Sequence, residues 1–194
     1  KNSQKLMPLV HLPVQSGSDK ILKLMNRKHN IKDYLYVFEK LKKINNKIEF
    51  SSDFIVSYPG ELEEDFNKTL NLIEKINFIN SYSFIFSPRP GTVAADLDLI
   101  DKNISVDRLE KVQNKLYENQ MRKNKLFKNQ MIDVLVENLT DDKTQAFGRS
   151  EYMTSVIFNG NKEHIGKIVQ VKIKEFNRTT LFGEFVKDLT KKVA

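Results

Sequence analysis

The periodicity of the apolar residues changes near residue 128, and this change limits the folds that are open to the chain. Before it, short apolar runs alternate with amphipathic helical stretches, and after it short strand-like segments follow one another. Alternating strands and helices predict βαβ units with a parallel sheet. A series of short strands separated by turn residues predicts a small antiparallel barrel. We therefore expect two domains, residues 1–128 and 129–194.

The first domain is predicted to be α/β, with three strands and four helices. The helices are expected at about 20–25, 32–44, 62–76 and 106–128, and the strands at 7–14, 48–56 and 82–86. Three strands are too few for a complete parallel domain, which needs helices over both faces or a closed barrel. We therefore expect the back half of a larger fold. The last helix is strongly basic, and such a face is usually solvated.

The second domain is predicted to hold five short strands, at 131–137, 146–149, 155–158, 168–173 and 180–184. Five strands in about 60 residues are typical of a small barrel of the oligonucleotide-binding type. The residues of this domain that nucleic acid would contact are Arg149, Lys172, Lys174 and Arg178, with Phe147, Tyr152 and Phe176 as stacking platforms. For each aromatic residue taken singly, a place inside the barrel is the better interpretation.

The chain contains no cysteine, so it cannot form a disulfide or a thiolate metal site, which fits a cytoplasmic protein. Its three histidines are widely spaced, and we expect no metal site within it. There is no apolar run of eighteen residues and no signal peptide, and the first residue is not Met, which suggests a cut start. The net charge of +7 favours nucleic acid, although lysine enrichment from an AT-rich genome explains it equally well.

Ligands of parallel α/β folds bind at the carboxyl ends of the strands. Here those ends are the loops 15–18, 57–61 and 87–91, although ordinary βα turns explain them as well. Asp53 lies among apolar residues and needs a partner if it is buried, either a backbone amide or a ligand ammonium or hydroxyl. His11 is flanked by apolar residues, and a hydrogen-bonded core histidine is the better interpretation.

Four motifs occur in order in the first domain: HLPVQSGSD at 11–19, MNR at 25–27, SDFIVSYPGE at 52–61, and YSF through SPRPGT at 82–92. The tail adds GRSEYM at 148–153, VQVKI at 169–173 and GE at 183–184. Together they resemble the radical SAM methylthiotransferases, and most closely the branch (the MiaB family) that makes 2-methylthio-N6-isopentenyladenosine in tRNA. The tail resembles the TRAM domain of these enzymes.

The resemblance implies the C-terminal half of a partial (β/α)6 TIM-like barrel, strands four to six, followed by a five-stranded, OB-like TRAM domain. In the family, one 4Fe-4S cluster is held by a C-x-x-x-C-x-x-C loop and an auxiliary cluster by three cysteines. Both sets would lie upstream of this chain, so no catalytic or metal-binding residue is expected within it.

The chemistry implied by the resemblance is cleavage of S-adenosylmethionine (SAM) to a radical that abstracts hydrogen from the adenine beside the anticodon. Sulfur and a methyl group are then inserted, and a second SAM is consumed. The implied partners are a tRNA anticodon stem–loop and a reductant such as flavodoxin or ferredoxin. We expect a monomer with no membrane association.

The resemblance assigns these roles to individual residues by their positions in the motifs. The residues expected to bind the cofactor are Gln15, Ser16, Asp53, Ser57, Glu61 and Phe86, and those expected to bind substrate or RNA are Arg27, Arg89, Arg149, Lys172 and Arg178. One departure concerns Ser57, where family members commonly have glycine. The serine side chain leaves less room than glycine for the backbone of this loop to approach a ligand closely.

Two alternatives to this function remain open at the level of sequence. The chain could act only as an RNA-binding module, which the TRAM-like tail and the missing cysteines favour. It could also belong to a sister branch that modifies threonylcarbamoyl-adenosine in tRNA or an aspartate of a ribosomal protein.

Overall fold

The computed structural model describes residues 6–189, which group into two compact units, 10–119 and 120–189, with residues 6–9 grouped with the second. The first unit alternates strands and helices, and residues 120–127 of its last helix are grouped with the second unit. Its elements are β1 (Leu9–His11), α1 (Asp19–Leu24), α2 (Ile31–Ile44), β2 (Glu49–Ser51), β3 (Asp53–Val56), α3 (Glu63–Ile76), β4 (Tyr82–Ile85), a 3-10 turn (Val93–Asp96) and α4 (Lys102–Phe127).

The strands of the first unit follow one another in space as they do in sequence. β1 lies beside β2, and β3 pairs with β4 in parallel, from Asp53 opposite Tyr82 to Val56 opposite Ile85. Beyond β1, Gln15 forms a parallel bridge with Phe54. The predicted alternation of parallel strands and helices is confirmed for these residues.

The single strand predicted over 48–56 is divided at Ser52 into β2 and β3. Opposite this point the first strand has one residue more than its neighbour, because the Leu12 amide donates to the Ser51 carbonyl whereas the next bridge joins Gln15 to Phe54. The Ser52 hydroxyl takes over part of the pairing, since it accepts from the Val14 amide at 2.9 Å and donates to the Leu12 carbonyl at 3.0 Å. The extra residue in the first strand therefore interrupts the regular pairing, and the prediction of one strand over 48–56 was wrong.

Helices cover one face of these strands. The buried core on that face consists of Val14, Tyr34, Phe50, Phe54, Val56, Phe66, Leu72, Ile73, Ile76, Phe78, Val112 and Leu116. Side chains alternate between the faces of a strand, so the opposite face carries Asp53 and Ile55 from β3 and Tyr82 and Phe84 from β4. Tyr82 and Phe84 are 64% and 53% exposed.

The loop after β1 packs directly on α3 through Gly17. A Cβ atom on Gly17 would lie 2.5 Å from the Lys68 carbonyl oxygen and 2.6 Å from the Thr69 Cα. The Gly17 amide donates to the Thr69 hydroxyl at 2.9 Å. Only a residue without a side chain permits this approach, so Gly17 sets the distance between the loop and the helix.

The second unit contains a closed barrel in the order β5-β6-β7-β9-β8. All its pairings are antiparallel except that of β7 with β9. The prediction of a five-stranded, OB-like barrel is confirmed, and several strands are longer than predicted. Their bounds are β5 (Met131–Leu139), β6 (Ala146–Ser150), β7 (Ser155–Phe158), β8 (Ile168–Phe176) and β9 (Thr180–Asp188), with a 3-10 turn at Lys162–His164.

The barrel interior follows from alternation along each strand. Its fully buried residues include Val134, Val136, Val156, Phe158, Val169, Val171, Ile173 and Leu181. Along β8, the buried residues Val169, Val171 and Ile173 alternate with the less buried Gln170 and Lys172. Within residues 6–189, no helix is long and apolar enough to cross a membrane.

We predict that Gly17→Ala lowers the free energy of unfolding by about 1–3 kcal/mol, because the added methyl group displaces the α3 backbone. Thermal unfolding of the 194-residue chain, followed by helical circular dichroism, measures this loss. Gly91→Ala is the control: its Cβ meets nothing within 4 Å, and only its φ of +80° opposes the change, at a cost of about 1 kcal/mol. Equal losses in the two variants would contradict the close-approach explanation.

Candidate functional site

A cleft of about 740 Å³ opens at the carboxyl ends of β1, β3 and β4 in the first unit. Five of the residues expected to bind cofactor or substrate line it: Gln15, Arg27, Asp53, Phe86 and Arg89. The other lining residues are Met25, Ile55, Tyr58, Phe84, Ile85, Ser87, Thr92 and Ala94. The structure therefore brings together residues from four separate sequence motifs.

Gln15 is held on the floor of the cleft by its own backbone. Its amide donates to the Asp53 carbonyl at 3.0 Å, and its carbonyl accepts from the Ile55 amide at 2.9 Å. Its φ is +72°, which is uncommon for a residue other than glycine. Two ladder hydrogen bonds thus hold an unfavourable backbone in a fixed position beside β3, as strained residues at functional sites commonly are.

Asp53 is paired with His11 on the face of the strands that helices leave uncovered. The His11 Nε2 lies 3.3 Å from the Asp53 Oδ2, and the His11 Nδ1 lies 2.8 Å from the Ser51 hydroxyl. The His11 side chain is 48% exposed. The prediction of a core histidine was therefore wrong about burial, although the Nδ1 atom is hydrogen-bonded, and the Nε2 atom of the same ring lies beside the Asp53 carboxylate.

Two aromatic rings form one wall of the cleft. The Tyr58 and Phe86 ring centroids are 4.8 Å apart at an interplanar angle of 65°. The Tyr58 hydroxyl donates to the Leu24 carbonyl at 3.1 Å, and the Phe86 amide donates to the Val56 carbonyl at 2.9 Å. Sequence reasoning did not name Tyr58, although its position in the loop directly after β3 was a sufficient signal.

Ser16 lies behind the cleft and is fully buried. Its hydroxyl is 3.4 Å from that of Thr69 and accepts from the Ser18 amide at 3.2 Å. These contacts stabilise the loop against α3. A direct contact between Ser16 and a ligand in the cleft would require that these hydrogen bonds be given up.

Asp65, which the sequence analysis did not single out, connects the loops behind the cleft. Its carboxylate accepts from the Ser18 hydroxyl at 2.7 Å, from Lys20 at 3.0 Å and from the Leu62 amide at 3.1 Å. Burial alone would raise its pKa, but these hydrogen bonds outweigh burial and hold the pKa of Asp65 below its usual value. The carboxylate is therefore kept charged, and it caps α3 while binding the start of α1.

Glu61 is also buried behind the cleft, in an ion pair with Arg108 of α4. The Arg108 Nη1 donates to the Glu61 Oε2 at 2.9 Å and to its backbone carbonyl at 3.2 Å. The same Oε2 accepts from the Ser57 amide at 2.7 Å. Burial raises the pKa of Glu61, and the Ser57 amide and the Arg108 charge offset this only in part. These contacts hold the loop after β3 against α4.

Arg108 was missed because the basic helix that contains it was interpreted as a solvated face. One stripe of α4 is in fact buried, and in the first unit this stripe includes Ser105, Arg108, Val112, Leu116 and Asn119. Arg108 has the helical spacing of Val112, which is a signal that sequence reasoning could have used. Outside this stripe, Lys111 on the same helix is exposed and Lys115 is only partly buried.

Ser57 has a left-handed backbone with φ of +58°. This conformation favours glycine, the residue that the family resemblance implies at this position. The side chain is buried, and its hydroxyl has no hydrogen-bond partner within residues 6–189. Serine at this position therefore destabilises the loop twice, through its backbone and through an unsatisfied hydroxyl.

The residues expected to bind RNA in the second unit lie on different parts of the barrel. Arg149 is on β6, Lys172 is on β8 opposite Met131 and Glu184, and Arg178 is in the turn between β8 and β9. β6 and β8 are not neighbours in the barrel. Lys174, also on β8, forms an ion pair with Glu184 at 2.9 Å. Lys172 and Arg149 therefore do not form one patch.

Of the three aromatic residues considered as stacking platforms, Tyr152 is only 6% exposed. Its ring contacts Phe127 at 5.8 Å, and the Lys123 ammonium lies over it at 4.2 Å. The idea that it offers a platform to bases was therefore wrong, because the end of α4 covers it. Phe147 and Phe176 are only partly buried.

Comparison with known proteins assigns both units to families. Residues 3–73 match the family model of the radical SAM superfamily, and residues 125–186 match that of the TRAM domain. The chain thus combines a radical SAM superfamily segment with a TRAM domain, and the resemblance found from the motifs is confirmed.

Among its relatives, the chain is 64% identical over all 194 residues to the tRNA-2-methylthio-N(6)-dimethylallyladenosine synthase of Pelagibacter ubique (strain HTCC1062). It is 42% identical over 182 residues to the protein of the same name from Wolbachia pipientis wMel, and 45% identical over 180 residues to that from Neorickettsia sennetsu (strain ATCC VR-367 / Miyayama). These alignments cover 100%, 92% and 93% of this chain. They cover 44%, 42% and 38% of the relatives, so the chain spans less than half of their length.

We predict that Ser57→Gly raises the free energy of unfolding by about 1 kcal/mol, because it removes the left-handed strain and the buried hydroxyl. Urea denaturation of the 194-residue chain measures the change. The control is Ser87→Gly in the next loop, where φ is not positive and where glycine should cost about 0.5–1 kcal/mol. A loss of stability in Ser57→Gly would show that the serine is favourable.

We predict that Arg108→Met lowers the free energy of unfolding by about 3–5 kcal/mol, because Glu61 is left as a buried charge without its main partner. The double variant Glu61→Gln/Arg108→Met should recover most of this loss, since neither group is then charged. Lys115→Met is the control on the same helix: its pair with Glu74 is exposed and should contribute less than about 1 kcal/mol. Additive losses in the double variant would contradict the coupling.

Proposed function

We propose that this chain is part of a tRNA methylthiotransferase that converts N6-isopentenyladenosine (N6-dimethylallyladenosine) next to the anticodon to its 2-methylthio derivative. The observation that carries this proposal is the meeting, in one cleft, of five residues implied by the family motifs. The names of the relatives support the same branch, since each contains 2-methylthio-N(6)-dimethylallyladenosine. This evidence favours the isopentenyl branch over the branches that modify threonylcarbamoyl-adenosine or a ribosomal protein.

The cleft fits SAM by size and by chemistry. Its volume of about 740 Å³ lies within the usual range of small-molecule sites, about 300–1,000 Å³. Tyr58 and Phe86 offer apolar ring surface to an adenine, and Gln15 and Asp53 offer an amide and a carboxylate to hydroxyl or ammonium groups. SAM, when bound, would supply the radical that removes hydrogen from the substrate and the methyl group that the product gains.

The residues of this chain do not fit an iron–sulfur cluster. The 194 residues include no cysteine, and the part of the chain that the structure describes contains no group of three or more metal-ligating side chains. We infer that the ligands of the two 4Fe-4S clusters belong to a part of the protein outside these residues. In the same proposal, residues 1–128 are the C-terminal half of a (β/α)6 barrel and residues 129–194 are the TRAM domain.

Arg27 and Arg89 suit the substrate because both are exposed side chains that line the cleft. A guanidinium group binds phosphate oxygens in a bidentate manner, so these residues can hold the tRNA backbone on either side of the modified nucleotide. Met25, Ile55 and Phe84 add apolar surface that an isopentenyl substituent can contact. A charged threonylcarbamoyl group would gain less from that surface.

The partners completing this proposal are a tRNA anticodon stem–loop, which the TRAM domain would help to bind, and a flavodoxin or ferredoxin as reductant. We propose that the enzyme acts as a monomer. An RNA-binding role without catalysis stays as the alternative, and the experiment below separates the two.

The test uses the complete protein that contains this chain, with its clusters reconstituted, together with SAM, a reductant and tRNA carrying N6-isopentenyladenosine. Mass spectrometry of the digested tRNA should show the 2-methylthio nucleoside. Asp53→Asn and Phe86→Ala should each raise the KM for SAM by about tenfold, which corresponds to about 1.4 kcal/mol of binding. Tyr36→Ala, on the exposed side of α2, is the control and should not change the KM.

Specific outcomes would contradict the proposal. Absence of product with intact clusters, together with retained tRNA binding, would favour the RNA-binding alternative. Product on threonylcarbamoyl-adenosine tRNA or on a ribosomal protein, and none on isopentenylated tRNA, would assign the chain to a sister branch.

A further inference from the structure

His11 projects from the face of the strands that helices leave uncovered. Its neighbours Val10 and Leu12 pack against the helix-covered core, and side chains alternate along a strand, so His11 points to the opposite side. Asp53 lies on the same face. Among the described residues, Asp53 lines the cleft and His11 does not. His11 can therefore act on a ligand in the cleft through Asp53.

Both nitrogens of the His11 ring have a defined neighbour. The Nδ1 atom is 2.8 Å from the hydroxyl of Ser51, which is buried, and the Nε2 atom is 3.3 Å from the Asp53 Oδ2. The Ser51 hydroxyl can donate to Nδ1, which places the proton of a neutral ring on Nε2. The ring then presents a donor to the Asp53 carboxylate. Contacts between functional groups in such sites commonly tighten when the ligand binds.

The Asp53 carboxylate has one oxygen beside this ring and a second oxygen without a partner. Within residues 6–189, His11 is the only residue that contacts the carboxylate through a polar atom. The Asp53 side chain is 30% exposed, and Oδ1 is not among the buried polar atoms that lack a partner. Oδ1 is therefore an accessible hydrogen-bond acceptor on a residue that lines the cleft.

The backbone of Asp53 is fixed, whereas its side chain depends on His11. The Asp53 carbonyl accepts from the Gln15 amide at 3.0 Å, and on the other side Asp53 is opposite Tyr82 in the pairing of β3 with β4. An aspartate side chain still turns about its two χ angles. A carboxylate that is already held in one orientation loses less conformational entropy when it binds a ligand.

The charges in the cleft give this orientation a second effect. Asp53 is the only carboxylate among the lining residues, whereas Arg27 and Arg89 contribute two cations. A guanidinium group readily takes both oxygens of a carboxylate in a bidentate pair. Such a pair would remove Asp53 from contact with a ligand, and the contact of Oδ2 with His11 opposes it.

We propose that His11 is a positioning residue for SAM, and that its Nε2 holds the Asp53 carboxylate so that Oδ1 faces a hydroxyl or ammonium group of the ligand. Ser51 supports this role by fixing the ring. The inference rests on the proposal that the cleft binds SAM. It adds His11 and Ser51, which do not line the cleft, to the residues that determine its affinity.

The test uses the complete protein that contains this chain, with its clusters reconstituted. Isothermal titration calorimetry with SAM, in the absence of reductant, measures the dissociation constant independently of turnover. His11→Ala should raise this constant about fivefold, a loss typical of one hydrogen bond. In the activity assay, the KM for SAM should rise by a similar factor while kcat stays within about twofold, because His11 does not touch the reacting atoms.

Two isosteric substitutions identify the ring nitrogen that matters. The amide nitrogen of Gln takes the place of Nε2, so His11→Gln keeps a donor beside Asp53 and should bind SAM within about twofold of the original protein. The amide nitrogen of Asn takes the place of Nδ1, so His11→Asn keeps only the contact with Ser51 and should bind as weakly as His11→Ala. His164→Ala, which removes a histidine 3.9 Å from Asp188 in the barrel, is the control and should bind unchanged.

A double-mutant cycle tests whether His11 acts through Asp53. His11→Ala/Asp53→Ala should bind SAM no more weakly than Asp53→Ala alone, because the carboxylate that His11 positions is then missing. A general structural role of His11 would instead make the two losses multiply. Circular dichroism verifies that each variant is folded, and the comparison of His11→Gln with His11→Asn is decisive even if His11→Ala does not fold.

The outcomes distinguish this inference from the proposed function. Failure of the original protein to bind SAM would overturn the proposed ligand and, with it, the role of His11. If the original protein binds SAM, an unchanged dissociation constant in His11→Ala would overturn the positioning role alone. Equal weakening in His11→Gln and His11→Asn, or multiplied losses in the double variant, would also overturn it.

Discussion

Two buried carboxylates, on Glu61 and Asp65, hold the loops on which the cleft depends. Glu61 joins the loop after β3 to α4 through Arg108, and Asp65 joins the loop after β1 to the start of α3 through Ser18. Asp65 accepts hydrogen bonds on both oxygens, whereas Glu61 accepts on Oε2 and its Oε1 has no partner among the described residues. The lining of the cleft is therefore positioned from behind, by groups that a ligand in the cleft does not need to touch.

The separation between residues that line the cleft and residues that hold its loops from behind explains the composition of the family motif in the first loop. Within HLPVQSGSD, Gln15 lines the cleft, whereas Ser16 and Gly17 pack on α3 and Ser18 binds Asp65. Most of the motif thus specifies how the loop sits on the helix. Ser16 is the clearest example of a motif residue whose contacts in this structure lie on the helix side of the loop.

Periodicity predicted the order of strands and helices because each element has one buried face, and such a pattern is local. It did not predict the break at Ser52, because the cause is an extra residue between Leu12 and Gln15 on the neighbouring strand. It did not find Arg108, whose partner Glu61 is 47 residues away. It favoured a buried place for Tyr152 but did not predict that Phe127 and Lys123 of α4 contact its ring. The loops at the strand ends were predicted correctly as the place of the cleft, whereas which side chains face it depends on backbone angles such as that of Gln15.

The register of the barrel also has a consequence for its synthesis on the ribosome. The strands β5, β6 and β7 can pair as they emerge, since each is antiparallel to the one before it. β7 must wait for β9, its parallel neighbour, which is made only after β8. Until residues 180–188 have left the exit tunnel, the outer edge of β7 has no partner, and the nascent chain carries the exposed edge that the finished barrel lacks.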